Sequence, residues 1–257
     1  MLVKFTKYQG TGNDFVIIDL TKDNFKFSVN QIKKICDRKY GIGADGLILI
    51  SNHNSFSFEM KFFNPDGSAS FCGNGSRCAV LYCFHQGIVQ SNCSFITNDG
   101  IHQGQVLEDE NIKISIKSPV LVDKLSNGDF EVNTGSPHYV QITNSLENID
   151  FQKHCKLIRN NDKYFQIGIN VNLVKVEDNF LDMRSYERGV EDETLSCGSG
   201  VTATALAIAY ENKIENSLFV KTRGGKLKVD FDRIENNFDK VFLTGPAKFV
   251  FSGDYDL

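Results

Sequence analysis

The sequence predicts an α/β protein of the α+β kind, rich in strands and built as two homologous lobes related by a pseudo-twofold. Three observations point there. Short β-branched and aromatic runs recur along the chain, one of two matched helical stretches is apolar nearly all round, and a set of glycine-punctuated motifs repeats after about half the length. At 257 residues the chain holds one large or two smaller domains. An apolar content of 41% with 23% charged residues excludes a disordered or fibrous chain.

The strand runs are 15–19, 47–50, 56–62, 112–116, 139–143, 171–176, 218–221, 227–231 and 241–243, most of them bounded by Gly, Asn, Asp or Pro. The first helix is expected over 29–38, where Val29, Ile32, Ile35 and Cys36 share a face and Ser28 caps the start. Two further helices are expected over 75–86 and 200–211, and the second is apolar enough to be fully buried. Residues 41–46 match G-x-G-x-x-G. Their context is reversed for a dinucleotide site, however, because a helix precedes them and a strand follows. They read as a helix end turning into a strand. With 21 Phe and no Trp, the core should be Phe-rich.

The repeat is the most informative signal. Cys72-Gly-Asn-Gly75 opens one buried helix and Cys197-Gly-Ser-Gly200 the other, 125 residues later. Thr97-Asn-Asp-Gly100 and Thr222-Arg-Gly-Gly225 keep the same spacing from their cysteines. Thr11-Gly-Asn-Asp-Phe-Val16 parallels Thr134-Gly-Ser-Pro-His-Tyr-Val140 at an offset of 123. The two lobes would meet near Pro119, as residues 1–117 and 118–246, with the two Cys-Gly-x-Gly turns facing each other.

A cysteine at a helix N-terminus sits beside backbone N–H groups without intrahelical partners and at the positive end of the macrodipole, which favours thiolate. The glycines leave those N–H groups open to a carboxylate. A single such turn is equally a structural cysteine; a matched pair points to chemistry that needs two thiols. Cys36, Cys78, Cys83, Cys93 and Cys155 lack zinc spacing and read as core. His138 is the one histidine within a repeat landmark. Glu187-Arg188 precedes Cys197 as Asn64-Pro-Asp-Gly67 precedes Cys72, and an Arg there suits a carboxylate clamp. Asn13, Asn64 and Asn170 are turn residues or polar contacts to a ligand.

A net charge of −4 without a basic stripe argues against nucleic acid, and no apolar run is long enough to span a membrane. Seven cysteines behind an N-terminus without a secretory signal read as reduced thiols in the cytoplasm. No motif suggests a metal, pyridoxal phosphate or any other cofactor. An enzyme that uses two thiols, a two-lobed binding protein and a thiol-redox protein are the classes these residues admit.

Lys7-Tyr-Gln-Gly-Thr-Gly-Asn-Asp-Phe15, Phe63-Asn-Pro-Asp-Gly-Ser68, Cys72-Gly-Asn-Gly-Ser-Arg77, Gly135-Ser-Pro-His138, Tyr186-Glu-Arg-Gly189, Glu193-Thr-Leu-Ser-Cys-Gly-Ser-Gly200 and Gly224-Gly-Lys-Leu227 together resemble the diaminopimelate epimerase family. The resemblance implies two lobes, each a barrel-like, mostly antiparallel sheet around a central helix, with the C-terminal strand 247–257 completing the first. It implies cofactor-independent interconversion of LL- and meso-2,6-diaminopimelate for lysine and peptidoglycan supply, in a cytoplasmic homodimer. By matching motif, Cys72 and Cys197 would be the catalytic bases, with His138 and Glu187 tuning their pKa values. Asn13, Asn64, Ser136, Asn170, Glu187, Arg188 and the N–H groups of Gly73, Asn74, Gly198 and Ser199 would hold the substrate. Three positions depart from the family pattern: Ser136 replaces a common Asn, Gly46 replaces a common Gln, and one extra residue lies in 189–193. A proline-racemase-like enzyme is the nearest rival.

Overall fold

A computed structural model describes residues 2–22, 25–118 and 120–257. The lobe boundary expected near Pro119 falls outside the described residues. The chain divides into two compact units, Met1–Ile114 with Gly245–Leu257, and Ser115–Thr244.

In the first unit the strands are β1 (Leu2–Gly10), β2 (Asn13–Asp19), β3 (Gly46–Ser51), β4 (Phe58–Phe63), β5 (Asn92–Thr97), β6 (Gly100–Val106) and β7 (Asn111–Ser115), with helices α1 (Val29–Cys36) and α2 (Gly73–His85). The second unit carries β8 (Val120–Lys124), β9 (Phe130–Asn133), β10 (Pro137–Ile142), β11 (Asn170–Val176), β12 (Leu181–Glu187), β13 (Asp192–Thr194), β14 (Ser217–Thr222), β15 (Gly225–Ile234) and β16 (Asn237–Pro246), with helices α3 (Phe151–Arg159) and α4 (Gly198–Asn212). β17 (Lys248–Asp256) returns to the first unit, where it lies antiparallel to β1.

The strand order within the first unit is β17-β1-β2-β3-β4-β5-β6-β7. In the second, β8-β9-β10-β11-β12-β14-β15-β16 closes on itself, because β16 also pairs with β8, giving an eight-stranded barrel. Both units use parallel pairs at the same two places, β2–β3 and β4–β5 in one, β10–β11 and β12–β14 in the other. Parallel neighbours need a crossover, and each of the four helices supplies one. The other pairs in these two strand orders are antiparallel.

Helix α1 begins with a capping box, Ser28 and Gln31 each satisfying the other's backbone, and buries Ile32, Ile35 and Cys36. α2 and α4 start at Gly73 and Gly198, two residues earlier than the periodicity suggests, so each cysteine is an N-cap. Both helices are buried for nearly their whole length and lie against the strands of their own unit, as expected for central helices. Helix α3 is additional to the sequence reading, although Phe151, Cys155 and Ile158 fall at i, i+4 and i+7 on the face it packs inward. Strands β1, β5, β6, β8, β9, β12 and β13 are also additional to the sequence reading, whereas β17 is the C-terminal strand that the resemblance implied. Several carry Lys, Gln, Asp or Gly at positions that one face of a half-exposed strand tolerates. Phe15, Phe58, Phe95, Phe130 and Phe238 are among the largest fully buried side chains, confirming a Phe-rich core.

Candidate active site

Each unit presents a Cys-Gly-x-Gly turn at the N-terminus of its central helix. In the first, Cys72 is extended (φ −137°, ψ 108°) and its Sγ accepts the Gly75 N–H at 3.3 Å. Gly73 and Asn74 are the first two residues of α2, where backbone N–H groups point out of the helix end. Asn74 donates from Nδ2 to Asn13 Oδ1 at 3.1 Å, and Asn13 in turn donates to Asp45 Oδ2 at 2.7 Å. Arg38 bridges Asp45 and Asp14, and Lys7 lies 2.7 Å from Asp14. Burial disfavours the Asp14 carboxylate, but hydrogen bonds from Arg38 and Lys7 outweigh it and hold its pKa well below the usual range. Thr11 and Gly12, both at positive φ, close the two-residue β1–β2 hairpin that delivers Asn13. Asn64 stands on the loop before Cys72, where its Nδ2 reaches Ser68 Oγ at 3.0 Å and Ser70 Oγ at 3.2 Å.

Position 46 has no space for the side chain common in the resembled family. A Cβ on Gly46 would lie 2.2 Å from the Phe62 ring. Gly46 therefore contributes packing, not a polar contact.

In the second unit Cys197 is again extended (φ −111°, ψ 110°), with Sγ 3.4 Å from Ser199 Oγ. His138 Nε2 sits 2.9 Å from both Ser136 Oγ and Ser199 Oγ. The imidazole is fully buried, and desolvation, with the Arg188 charge adding, lowers its pKa to about 3, so it is neutral at pH 7. Asn170 ties two predicted segments together. Its Nδ2 donates to Pro137 O at 2.9 Å and to Ser136 Oγ at 3.3 Å, and its Oδ1 accepts the Arg188 N–H at 2.9 Å. The hydroxyl of Ser136 thus joins the network around His138. Glu187 accepts a hydrogen bond from Thr194 Oγ1. The exposed Arg188 guanidinium donates to Ile167 O at 3.1 Å, held by a backbone carbonyl and not by a carboxylate.

The structure therefore joins Asn13 to Asn74 beside Cys72, and Ser136, His138, Asn170 and Ser199 beside Cys197. Asn64, Glu187 and Arg188 flank these groups through other partners. Sequence reasoning missed Asp45, Thr134, Asn172 and Ser185. Thr134, whose Oγ1 donates to Ser199 O at 2.9 Å, lay inside a repeat landmark that could have exposed it. Asn172 and Ser185 sit within ordinary strands and carried no such signal. Among the described residues no group of three or more His, Cys, Asp and Glu side chains is placed to hold a metal ion, and no helix is long and apolar enough to cross a membrane.

The sequence profile of the diaminopimelate epimerase family matches residues 5–122 and 130–250. A diaminopimelate epimerase of Flavobacterium psychrophilum is 44% identical over 253 residues, covering 97% of this chain and 98% of that protein. One from Aquifex aeolicus is 36% identical, over 98% of this chain and 97% of its own length. Among solved structures, a Bacillus anthracis phenazine biosynthesis protein of the PhzF family superposes with a TM-score of 0.80 at 13% identity, each chain covered fully. A hydroxyproline epimerase of Agrobacterium vitis with bound trans-4-hydroxy-L-proline gives 0.75 at 12% identity, over 100% of this chain and 93% of that one. At such identities the last two show a shared fold.

Proposed function

The chain belongs to the diaminopimelate epimerase family, and from that premise we propose that it interconverts LL- and meso-2,6-diaminopimelate without a cofactor, Cys72 and Cys197 serving as the two bases. The observation that carries this reading is the pair of cysteines capping two buried helices in units of identical strand order. One sulfur, as thiolate, takes the α-proton; the other, as thiol, delivers a proton to the opposite face. At the end of a turnover the two protonation states have exchanged, and the reverse reaction uses the same groups in opposite roles. The thiols then titrate as a coupled unit.

The α-proton of an amino acid is weakly acidic, so the developing negative charge needs support. The N–H groups of Gly73, Asn74, Gly198 and Ser199 supply it at the reacting carboxylate, aided by both helix dipoles. Asn13, Asn64, Ser136, Asn170, Glu187 and Arg188 recognise the remaining ammonium and carboxylate groups. His138 and Glu187 set the acidity of the thiols. The functional division is two lobes of one thiol each, 1–117 with 247–257 and 118–246. The product supplies lysine and peptidoglycan precursors in the cytoplasm.

The protein acts as a homodimer in this reading. Phe249, Val250 and Phe251 on β17 are each 44–51% exposed, three consecutive apolar residues on both faces of a strand. Val250→Lys is expected to convert a dimer into a folded monomer in sedimentation velocity; an unchanged sedimentation coefficient would remove β17 from the interface.

The direct test is proton NMR of LL-diaminopimelate in deuterated water with reduced protein and a chelator. Loss of the α-proton signal with appearance of the meso form is expected, while free proline stays unexchanged. Cys72→Ser is expected to abolish epimerisation and retain ligand binding. Wild-type turnover by that variant would overturn the two-thiol mechanism.

A further inference from the structure

Behind Cys197 lies a chain of four buried or half-buried polar side chains whose hydrogen-bond directions can be worked out. Asn172 on β11 is paired in register with Ser185 on β12, and both point inward with 0% and 3% exposure. Ser185 Oγ donates to Asn172 Oδ1 at 2.9 Å. Asn172 Nδ2 lies 3.2 Å from Tyr139 O and 3.1 Å from His138 Nδ1. The carbonyl of Tyr139 can only accept, so it fixes which end of the amide faces it. The amide nitrogen can only donate, so His138 Nδ1 carries a lone pair. A buried neutral imidazole then holds its one hydrogen on Nε2.

That hydrogen faces the hydroxyls of Ser136 and Ser199. Asn170 also donates to Ser136, which draws that hydroxyl toward the Gly135-Ser-Pro loop. Ser136 Oγ, accepting from Asn170, can turn its own hydrogen to Ser199 Oγ 3.2 Å away, and a Ser199 Oγ that accepts from Nε2 and Ser136 keeps its hydrogen for the neighbouring sulfur at 3.4 Å. Helix α4 permits the arrangement because position 200 is glycine: a Cβ there would stand 2.6 Å from Asn172 Oδ1 and 3.3 Å from His138 Cε1.

We infer that Asn172 and Ser185 are positioning residues for Cys197, fixing His138 as its Nε2-protonated tautomer so that the Ser199 hydroxyl donates to the sulfur and favours thiolate. A hydrogen bond to the ionised form stabilises that form. The charged group that acts on the imidazole is Arg188, and its positive charge further disfavours imidazolium. Glu187, the neighbouring carboxylate, is engaged by Thr194. The inference stands on the second unit alone, and its test uses no substrate, so its failure would leave the epimerase reading untouched, and the reverse.

The experiment is the pH dependence of iodoacetamide alkylation of Cys197 in a Cys72→Ala background. Asn172→Ala is expected to raise the midpoint by about one pH unit, the worth of one hydrogen bond to a charged group. Ser199→Ala should do the same, and the double variant should go no further than either single one, because both remove the same bond. Shifts that add in full, or no shift in folded Asn172→Ala, would overturn the inference. Nitrogen NMR of histidine-labelled, unmutated protein tests it without any substitution. Neutral His138 protonated on Nε2 at pH 7 is expected, and a hydrogen on Nδ1 would overturn the assignment.

Discussion

Arg77 heads the fully buried side chains by size, and it brings a whole guanidinium into the first unit. Its hydrogen bonds go to Gly73 O and Thr11 Oγ1, at 3.4 and 3.3 Å, and its Nε has no partner. Burial lowers its pKa to about 10, so it remains a cation at neutral pH. A buried cation calls for an anion. Cys78 cannot provide one, because burial pushes its thiol well above the ordinary value; Cys72 is the other thiol whose charge Arg77 feels. In a Cys197→Ala background, Arg77→Met is therefore expected to slow alkylation of Cys72 at pH 7 by about tenfold, equivalent to one pKa unit. An unchanged rate would mean that the guanidinium serves packing alone. His138 carries a separate pH signature. Its folded pKa of about 3 lies below its ordinary 6.5, so on acidification the unfolded chain takes up a proton that the folded one refuses. Stability should fall as pH drops from 6.5 toward 3, by up to about 1.4 kcal/mol per pH unit. His138→Gln should flatten that part of the slope in urea titrations. Both cysteines and His138 were legible because they sit in repeated, glycine-marked turns. Asn172 and Ser185 were not, since a buried polar residue on a strand is indistinguishable in sequence from one facing solvent.

Among the elements, helices separate by how they announce themselves. α1 shows a capping box and an apolar face, so its start at Val29 could be read directly. α3 carries the same two signs, a capping Asp150 that accepts the Lys153 N–H at 3.2 Å and apolar residues at 151, 155 and 158, so it too was readable and was passed over. The repeat could have found it, since an offset of 123 carries α1 onto this stretch. The strands missed were mainly those with charged or glycine residues on the exposed face. α2 and α4 began two residues earlier than expected because glycines dilute the apolar pattern at their first turns. Gly200 shows what those glycines do. Ala is the better helix former by about 1 kcal/mol in a helix interior, yet its methyl would enter the space of Asn172. Gly200→Ala is expected to lower stability by about 1–3 kcal/mol, the usual cost of overpacking. Urea unfolding would measure it, and a gain in stability would show that Asn172 moves aside freely.

For the molecule as a whole, the two units differ in how their sheets are completed. The second is one continuous segment whose eight strands close on themselves. The first borrows β17 from the far end of the chain. β17 pairs with β1 from Leu2–Asp256 to Gln9–Lys248, and Phe5 and Tyr8 meet Phe251 and Phe249 edge to face. Deleting residues 247–257 is expected to destabilise the first unit selectively and to expose the β1 edge to aggregation. Hydrogen exchange should then show lost protection in β1 and β2 with β10–β12 intact; uniform protection in both units would contradict it.

The same strand sets an order of events during synthesis. A growing chain usually folds its N-terminal portion first. Here the N-terminal portion emerges from the ribosome without its last strand, while residues 115–244 have everything needed to close before translation ends. The segment made first is thus the segment finished last, and β1 must keep an unpaired edge for the time taken to make more than two hundred residues, about 10–40 seconds at ordinary elongation rates. During that interval a nascent-chain chaperone would find its binding site at the beginning of this protein, not at its middle.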